Sequence, residues 1–343
     1  MMILRQLSDA IGVSGNEDDV RRIIVNAVRD HVDRVEIDAM GNVLALKRGL
    51  DPDPLRVMVA AHMDEIGLMI VGHDEDGTLR VRSVGGIDRR LLPGTVYAVG
   101  GDRIPGVIGG KPIHLLESGE AEKAPKIEDV RVDIGAKDKG EAEKLAPLGT
   151  YAAFATSFQE LEDGIVSGKA FDDRAGCAVL VELVRGEPFG FDLHAAFTVQ
   201  EEVGLRGARV AAFSIDPDCA FALEGTIADE IPKDKDVSPT TEMGKGPAIT
   251  VMDRSFIADR RLVRLLIDTA EAQKIPYQIK QPGMGGTDAG AIHLAREGVP
   301  SATVAVPSRY IHSPVALLSM TDYGDTVRLM RESLKRLTRD LFE

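Results

Sequence analysis

The apolar and polar positions of this chain follow two different patterns. In residues 1–67 and 155–343, amphipathic stretches with helical spacing alternate with short, continuous apolar runs. Such runs are typical of strands that are buried on both faces of a parallel sheet. Their alternation with helices predicts an α/β fold, namely a doubly wound, mainly parallel sheet with helices on both faces.

Residues 68–154 break this alternation. Their strands are short and turn signals are dense, at Asp76-Gly77, Gly85-Gly86, Pro93-Gly94, Gly100-Gly101 and Pro105-Gly106. Turn residues at this spacing favour a small β-barrel or sandwich. We therefore expect an inserted all-β barrel domain at residues 68–154 and a discontinuous α/β domain formed by residues 1–67 and 155–343.

The same patterns predict the individual elements of the α/β part. Ser14 and Glu17 have the spacing of a capping box, which predicts a helix from there to about Val32. Other helices are expected at residues 2–13, 171–184, 204–213, 255–274, 288–297 and 319–339. A hairpin is expected at residues 33–47, and buried strands at residues 57–61, 193–199, 219–223, 275–280 and 301–306.

Polar residues directly follow the first buried strand. The run Val57–Ala61 is followed by His62 and then Asp64, which point to the same side of an extended chain because they are two apart. Ligands in open α/β sheets bind beyond the carboxyl ends of the strands. A neutral imidazole is a good metal ligand, and a nearby carboxylate can orient it. The stretch indicates a metal site, with a histidine that only satisfies a strand end as the alternative.

Four more acidic or histidine clusters stand where a predicted element begins or ends. They are Asp172-Asp173 before a helix, and Glu201-Glu202, Glu224 and His312 after strands. The alternative for the aspartates is an N-cap pair, and for the others a solvated strand end. Adjacent glutamates point to different sides, so one can bind a metal while the other faces a substrate. Together, the five positions predict one rim that holds two histidines and several carboxylates.

Composition narrows the class of protein. The chain has 343 residues, 44% of them hydrophobic, and a formal charge of −14 without a block of lysine or arginine. Nucleic acid and anionic membranes are therefore not expected as partners. No apolar run approaches membrane-spanning length, and the N-terminal segment lacks the pattern of a signal peptide. Cys177 and Cys219 lie in apolar surroundings, which favours buried thiols and a cytoplasmic protein.

The ligand types indicate the chemistry of the predicted rim. Histidine with carboxylate, without thiolate, suits zinc or a similar divalent ion with open coordination positions. Two histidines and three carboxylates suffice for two ions if one carboxylate is shared. A further carboxylate beside a metal-bound water is the usual general base. The expected reaction is hydrolysis of a polarised carbonyl.

Several motifs, in order along nearly the whole chain, resemble one family. The strings AHMDEIG, GKAFDDR, QEEVGLRGA, GGTDAG and YIHSP, together with the opening GVSGNE, are similar to those of the tetrahedral (TET) aminopeptidases. These are cytosolic dinuclear metallopeptidases that include glutamyl and deblocking aminopeptidases. As a set, the motifs are highly specific for the family, whereas no single motif is.

The resemblance implies a role for each matching residue. Asp172 is the shared carboxylate of two divalent ions, of which one is completed by His62 and Glu224 and the other by Glu202 and His312. Glu201 is the general base that takes a proton from the bridging water, and Asp64 holds His62 in its tautomer. At the position of Glu224, members of this family more often have an aspartate, whose side chain is shorter.

The GGTDAG string resembles the family's loop near the substrate pocket. It implies that Gly286, Thr287 and Asp288 contribute to substrate binding. A strand-to-helix turn with Thr287 or Asp288 as the N-cap is the alternative, and both interpretations can hold together.

The implied function is removal of N-terminal residues from short peptides, with Zn²⁺ as the expected metal and Co²⁺ or Mn²⁺ as alternatives. The implied assembly is a homododecamer built from dimers, with the β insertion at the dimer contact. Two other functions stay open: a dinuclear deacylase or carboxypeptidase acting on N-acyl amino acids, and an inactive peptide-binding or assembly protein. The preferred N-terminal residue is open, although Arg254 or Lys245 could receive an acidic side chain.

Overall fold

The computed structural model describes residues 1–117, 119, 123–231, 239–282 and 285–343. The helices in these ranges are α1 (Met2–Asp9), α2 (Asp18–Val28), α3 (Lys139–Leu145), α4 (Phe171–Arg185), α5 (Arg206–Ile215), α6 (Arg260–Gln273), α7 (Ala289–Ile292) and α8 (Met320–Lys335). In the ranges given above, no helix has the length and apolar character needed to cross a bilayer.

The strands of the first half are β1 (Arg34–Ile37), β2 (Val43–Lys47), β3 (Arg56–His62), β4 (Gly67–His73), β5 (Leu79–Val84), β6 (Val96–Val99), β7 (Ile104–Val107), β8 (Arg131–Val132) and β9 (Tyr151–Phe154). Those of the second half are β10 (Gln159–Glu160), β11 (Ile165–Gly168), β12 (Asp192–Thr198), β13 (Cys219–Ala228), β14 (Ala248–Thr250), β15 (Gln278–Lys280), β16 (Ser301–Arg309) and β17 (Ala316–Ser319).

A large mixed sheet forms the centre of the molecule. Its strand order is β1-β2-β12-β3-β13-β16-β17-β11-β10, and β14 joins β15 to β16 outside this path. The four central strands β12, β3, β13 and β16 are parallel, whereas the strands at both margins are antiparallel. Because parallel neighbours end at the same edge, the residues that follow these four strands share one rim.

Helices cover both faces of this sheet, and strand β3 shows why. Val57 and Val59 pack into the larger core with residues of α1, α2, α4, α6 and α8. Met58 and Ala60 point the other way and pack against Ala208 of α5 and Ile292 of α7. A strand buried on both faces must be apolar throughout, which is the pattern that its sequence has. The predicted α/β architecture is confirmed at this level.

A second, six-stranded sheet is formed by residues 67–154. Its order is β7-β6-β9-β4-β5-β8, and all its strand pairs are antiparallel. Val107, at the end of β7, exchanges two backbone hydrogen bonds of 2.8 and 2.9 Å with Asp133, next to β8. The two edges therefore nearly meet, and the sheet encloses its own apolar core, which includes Leu68, Tyr97 and Val132.

The starts of two helices differ from the prediction. Helix α2 begins at Asp18, and Ser14 does not cap it, because its hydroxyl donates instead to Asp64. Helix α6 begins at Arg260 rather than at Ser255, because the side chain of Asp259 accepts from the backbone N–H of Arg261 and caps it there.

A buried ionic cluster joins the N-terminal segment to β3 and α4. Glu65, Lys169 and Arg174 are each at most 2% exposed. Lys169 Nζ lies 2.7 Å from Glu65 Oε1, and Arg174 Nη2 lies 3.1 Å from the same oxygen. Both cations also donate to the backbone carbonyl of Ala10. Burial lowers the pKa of Lys169 to about 8, with Arg174 adding to this effect and Glu65 opposing it.

We expect Glu65→Ala to lower the free energy of unfolding by about 3–5 kcal/mol, since it leaves two cations buried without their counter-charge. Denaturant unfolding followed by circular dichroism, at one protein concentration and in chelator, measures the change. Asp268→Ala breaks the exposed pair with Arg264 and serves as the control, with an unchanged midpoint expected. Equal midpoints for the two variants would show that the cluster contributes nothing to stability.

Candidate active site

The five predicted clusters meet at one rim of the large sheet. His62 is the last residue of β3, Glu201 and Glu202 follow β12, and His312 follows β16. Asp172 lies in the first, non-helical turn of α4. Glu224 is inside β13, which continues to Ala228 beyond the end of its neighbour β3, so the prediction that this strand ends at Glu224 was wrong.

Two triads of ligand atoms share the carboxylate of Asp172. In the first, His62 Nε2 lies 3.4 Å from Asp172 Oδ1 and 3.5 Å from Glu224 Oε2. In the second, His312 Nε2 lies 3.5 Å from both Asp172 Oδ2 and Glu202 Oε1. Within each triad the three ligand atoms lie within 4.8 Å of one another. The two oxygens of Asp172 thus face different triads.

Both imidazoles present Nε2 to the shared carboxylate because Nδ1 is engaged elsewhere. His62 Nδ1 lies 3.2 Å from the backbone oxygen of Asp64 and 3.4 Å from its Oδ1. His312 Nδ1 lies 2.9 Å from the carbonyl oxygen of Gly86. A proton on Nδ1 that is donated to these acceptors leaves the Nε2 lone pair free for a cation.

Asp64 connects three segments of the rim. Its carboxylate accepts from Ser14 Oγ at 2.6 Å and from the backbone N–H groups of Glu201 at 3.0 Å and Glu202 at 3.2 Å. Burial opposes its charge, but His62, Ser14 and the backbone N–H of Glu201 lower its pKa below the usual range. Asp64 therefore stays anionic and orients both the imidazole and the glutamate pair.

Asp173 and Asp288 form hydrogen bonds with two of the candidate ligands, His62 and Glu224. Asp173 accepts from the backbone N–H of Gly176 at 2.8 Å, as an N-cap does, and from that of His62 at 3.0 Å. Thus the N-cap interpretation holds for Asp173, while Asp172 faces the triads. The backbone N–H of Asp288 donates to Glu224 Oε1 at 3.2 Å, and its own carboxylate accepts from Thr198 Oγ1.

Several residues of the rim have energetically unfavourable backbone conformations. Ala170, Gln200, Tyr310 and His312 all have left-handed φ values, between 55° and 62°. Each of these residues is itself a candidate ligand or lies within two residues of one. Such conformations cost non-glycine residues of order 1 kcal/mol or more, and they cluster at functional sites because the surrounding structure imposes them.

The electrostatics of the rim favour a bound cation. Burial raises the pKa of Glu201 and of Glu224 well above the usual range and that of Glu202 to about 7. Burial alone would lower the pKa of His62, but the surrounding carboxylates raise it well above its ordinary value. Carboxylates that are costly to ionise next to one another gain most from a divalent ion, which replaces protons as the balancing charge.

The donor set fits two such ions. Each triad supplies one imidazole nitrogen and carboxylate oxygens, and no thiolate takes part. Three protein ligands per ion leave coordination positions open, which is typical of catalytic sites. Glu201 belongs to neither triad, although its Oε2 lies 3.9 Å from His62 Nε2.

A cavity of about 710 Å³ opens beside the triads. Glu201, Gly286, Thr287 and Lys280 are among the residues that line it. Its volume suits a peptide end rather than a folded protein. Asp288 does not line the cavity, since it lies 1% exposed behind Glu224. Lys245 and Arg254, which the sequence raised for an acidic side chain, do not line it either.

Four features of the site were not predicted. Ser14 was assigned to a helix cap, Asp173 was not separated from Asp172, and Gly86 lies in the loop after β5 of the second sheet. Lys280 ends a strand that was predicted at residues 275–280, but its place in the cavity wall was not predicted. Only Ser14 had a signal, because it belongs to the GVSGNE string that forms part of the family resemblance.

Comparison with known proteins supports the resemblance. The profile of the M42 glutamyl aminopeptidase family matches residues 41–329. The lysyl aminopeptidase of Pyrococcus furiosus is 37% identical over 349 residues, which cover 98% of this chain and 96% of that protein.

Solved structures agree. An aminopeptidase from Desulfurococcus kamchatkensis superposes with a TM-score of 0.95 at 37% identity, covering 100% of this chain and 96% of that one. The TET1 peptidase of Pyrococcus horikoshii superposes with a TM-score of 0.87 at 35% identity, covering 98% and 99%.

These relatives confirm the prediction of a metal-dependent aminopeptidase. They favour neither an N-acyl amino acid deacylase nor an inactive binding protein. The match exceeds half of the chain, and it includes all five candidate ligands and Glu201. The chain belongs to the M42 glutamyl aminopeptidase family.

Proposed function

We propose that this aminopeptidase uses two divalent ions to remove N-terminal residues from short peptides. His62, Asp172 and Glu224 would hold one ion, and Asp172, Glu202 and His312 the other. The observation that carries the proposal is the shared carboxylate, whose two oxygens lie 3.4 and 3.5 Å from two different imidazoles. Zinc is the expected metal, and Co²⁺ or Mn²⁺ accept the same ligands.

When bound, the ions polarise the scissile carbonyl and make water more acidic. A side chain of the protein accepts and then donates the proton that the attacking water loses. Glu201 lines the cavity outside both triads, and burial raises its pKa, so it is suited to take a proton from the attacking water. It then passes that proton to the leaving amine.

Other residues position this machinery. Asp64 fixes the tautomer of His62 and holds the backbone of Glu201 and Glu202 through hydrogen bonds of 3.0 and 3.2 Å. Asp288 holds Glu224 through its backbone N–H, which suits the longer side chain of this glutamate. We assign Gly286 and Thr287 to substrate binding, and Asp288 to positioning.

The finer architecture and the assembly are also proposals. We infer that residues 1–67 and 155–343 form a doubly wound catalytic domain and that residues 68–154 form an inserted barrel domain. The barrel has exposed apolar side chains, including Leu91, Val96 and Leu148, that dimer formation would cover.

The TET1 peptidase of Pyrococcus horikoshii can assemble into a tetrahedron or a large octahedral shell, which supports a dodecamer here. Two buried free thiols, Cys177 and Cys219, support a cytoplasmic location.

Glu201→Gln should lower kcat by about 10²–10⁴-fold with little change in metal content, because glutamine cannot accept the proton. Steady-state hydrolysis of leucine anilide and elemental analysis of the purified protein measure the two effects. Glu162→Gln, at an exposed position, is the matched control. More than a tenth of wild-type activity in Glu201→Gln would assign the base elsewhere.

His62→Ala and His312→Ala should each reduce the bound metal by about one ion per chain, since each removes one imidazole ligand from one triad. Elemental analysis after gel filtration gives the stoichiometry. His31→Ala, which changes an exposed histidine, should leave it unaltered. Full metal content in both site variants is the result that would refute the ligand assignment.

Chelator should stop the hydrolysis of leucine anilide, and added Zn²⁺, Co²⁺ or Mn²⁺ should restore it. N-acetyl-leucine should not be cleaved under any of these conditions, because the proposed reaction requires a free N-terminal amine. Release of leucine, measured by chromatography, follows both substrates. Cleavage of N-acetyl-leucine alone would instead identify a deacylase.

A further inference from the structure

The backbone between β12 and the proposed base is bound by side chains of three other segments. Four consecutive N–H groups each donate to a buried side-chain oxygen. The bonds run from Val199 to Asn42 Oδ1 at 3.0 Å, from Gln200 to Glu17 Oε1 at 3.3 Å, and from Glu201 and Glu202 to the two oxygens of Asp64 at 3.0 and 3.2 Å. Asp64 thus holds only the second half of this segment, and the first half depends on Asn42 and Glu17.

Asn42 is held firmly in the turn between β1 and β2, where it is completely buried. Its Nδ2 donates to Asp38 Oδ2 at 2.6 Å and to the carbonyl oxygen of Gly207 at 3.0 Å, so both of its donors and its acceptor oxygen are used. Asp38 Oδ1 accepts from three backbone N–H groups of the turn at 2.8–3.0 Å. Because β2 pairs antiparallel with β12, with Val43 opposite Phe197, the turn lies beside the carboxyl end of β12.

Gly207 leaves the space through which Asn42 reaches this segment. A Cβ atom at position 207 would lie 2.3 Å from Asn42 Oδ1 and 2.5 Å from the backbone nitrogen of Val199, which is too close for any side chain. The N–H of Gly207 also donates to the carbonyl oxygen of Val199 at 2.9 Å. The absence of a side chain at position 207 therefore permits the contact between Asn42 and Val199.

Glu17 binds the residue whose backbone conformation is unfavourable. Gln200 has a left-handed φ of 56°. Such a conformation persists in a non-glycine residue only where the surrounding structure imposes it. Glu17 directly precedes α2, is 2% exposed, and accepts through the same Oε1 from the N–H of Gly15 at 2.7 Å. Its oxygen is thus fixed before it meets Gln200, and hydrogen bonds in so buried a place are strengthened by the low local dielectric.

We propose that Asn42 and Glu17 are positioning residues for Glu201, the base of the proposed function on which this inference rests. They fix the N–H groups of the two residues before Glu201, and thereby the direction in which its side chain enters the cavity. Neither positioning residue lines the cavity, so neither contacts the substrate. Displacement of a catalytic group by about 1 Å can lower the rate by about 10²-fold, which sets the scale of the expected effect.

The first test compares two substitutions of Glu17 in the enzyme with added Zn²⁺. Glu17→Gln keeps an oxygen that accepts from Gln200, whereas Glu17→Met has a similar length and no such oxygen. The kcat for leucine anilide should fall about 10- to 100-fold in Glu17→Met, with KM and metal content nearly unchanged, and should stay within about threefold of the wild type in Glu17→Gln. A loss of kcat in both variants, or in neither, would overturn the proposal.

Asp322→Leu is the matched control for a loss of stability. The carboxylate of Asp322 is 1% exposed and also accepts from two backbone N–H groups of a loop, those of Gly244 and Gly246, at 2.5 and 2.9 Å. Asp322 does not line the cavity. The variant should unfold at a lower denaturant concentration, as Glu17→Met should, but keep the wild-type kcat. An equal loss of kcat in Asp322→Leu would attribute the effect to destabilisation and contradict a positioning role.

Hydrogen–deuterium exchange, followed by mass spectrometry of the metal-loaded enzyme, tests the bonds themselves. In the wild type, the amides of residues 199–202 should exchange as slowly as those of β12, because all four are bonded. Asn42→Ala should speed this exchange and lower kcat about 10- to 100-fold, as Glu17→Met does. Rapid exchange in the wild type, which needs no variant to fold, would refute the proposal, and so would an Asn42→Ala enzyme with wild-type kcat.

These results are distinguishable from a failure of the proposed function. If Glu201→Gln is inactive while Glu17→Met and Asn42→Ala both keep the wild-type kcat, this inference alone is wrong. If Glu201→Gln keeps its activity, the base is misassigned, and the proposed function and the positioning roles fail together.

Discussion

The arrangement of the site depends on one buried carboxylate, that of Asp64, which stays charged among several other carboxylates. Asp64 shows how the protein achieves this. Three donors from two other segments, Ser14 Oγ and the N–H groups of Glu201 and Glu202, satisfy one buried carboxylate. That carboxylate then fixes the imidazole of His62 and the backbone before both glutamate side chains. Without it, the rim would hold the same residues but not in a common geometry.

The fold supplies the rest of this geometry through the ends of parallel strands. Strand β3 ends at His62 in register with Thr198 of β12, so the loop that carries Glu201 and Glu202 begins beside it. The second sheet also takes part, because the carbonyl oxygen of Gly86, just after β5, lies 2.9 Å from Nδ1 of His312. The orientation of one ligand therefore depends on how the second sheet packs against the rim. The cluster of Glu65, Lys169 and Arg174 anchors the chain just past His62.

That the candidate ligands share one rim could be predicted from the sequence, because each is a polar residue that follows a strongly apolar run or precedes an apolar helix. The positioning residues could not. Ser14 matched a capping box by spacing, and only the tertiary structure directs its hydroxyl to Asp64. The left-handed backbone at Gln200 and Tyr310 has no sequence signal, since neither residue type is enriched in that conformation. The same applies to the extension of β13 past Glu224, because pairing with β16 rather than propensity determines where it ends.

The two ends of the cavity differ in which residue types they can accept. The end with the two triads is constrained by coordination chemistry, because only a few residue types can serve as ligands of a divalent ion. The end that contains Lys280 belongs to β15, which lies outside the path of the central sheet and contributes nothing to either triad. Substitution of Lys280 changes the charge of the cavity wall without moving a candidate ligand. The charge of the cavity wall can therefore vary on this scaffold independently of the candidate ligands, because the two are carried by different strands.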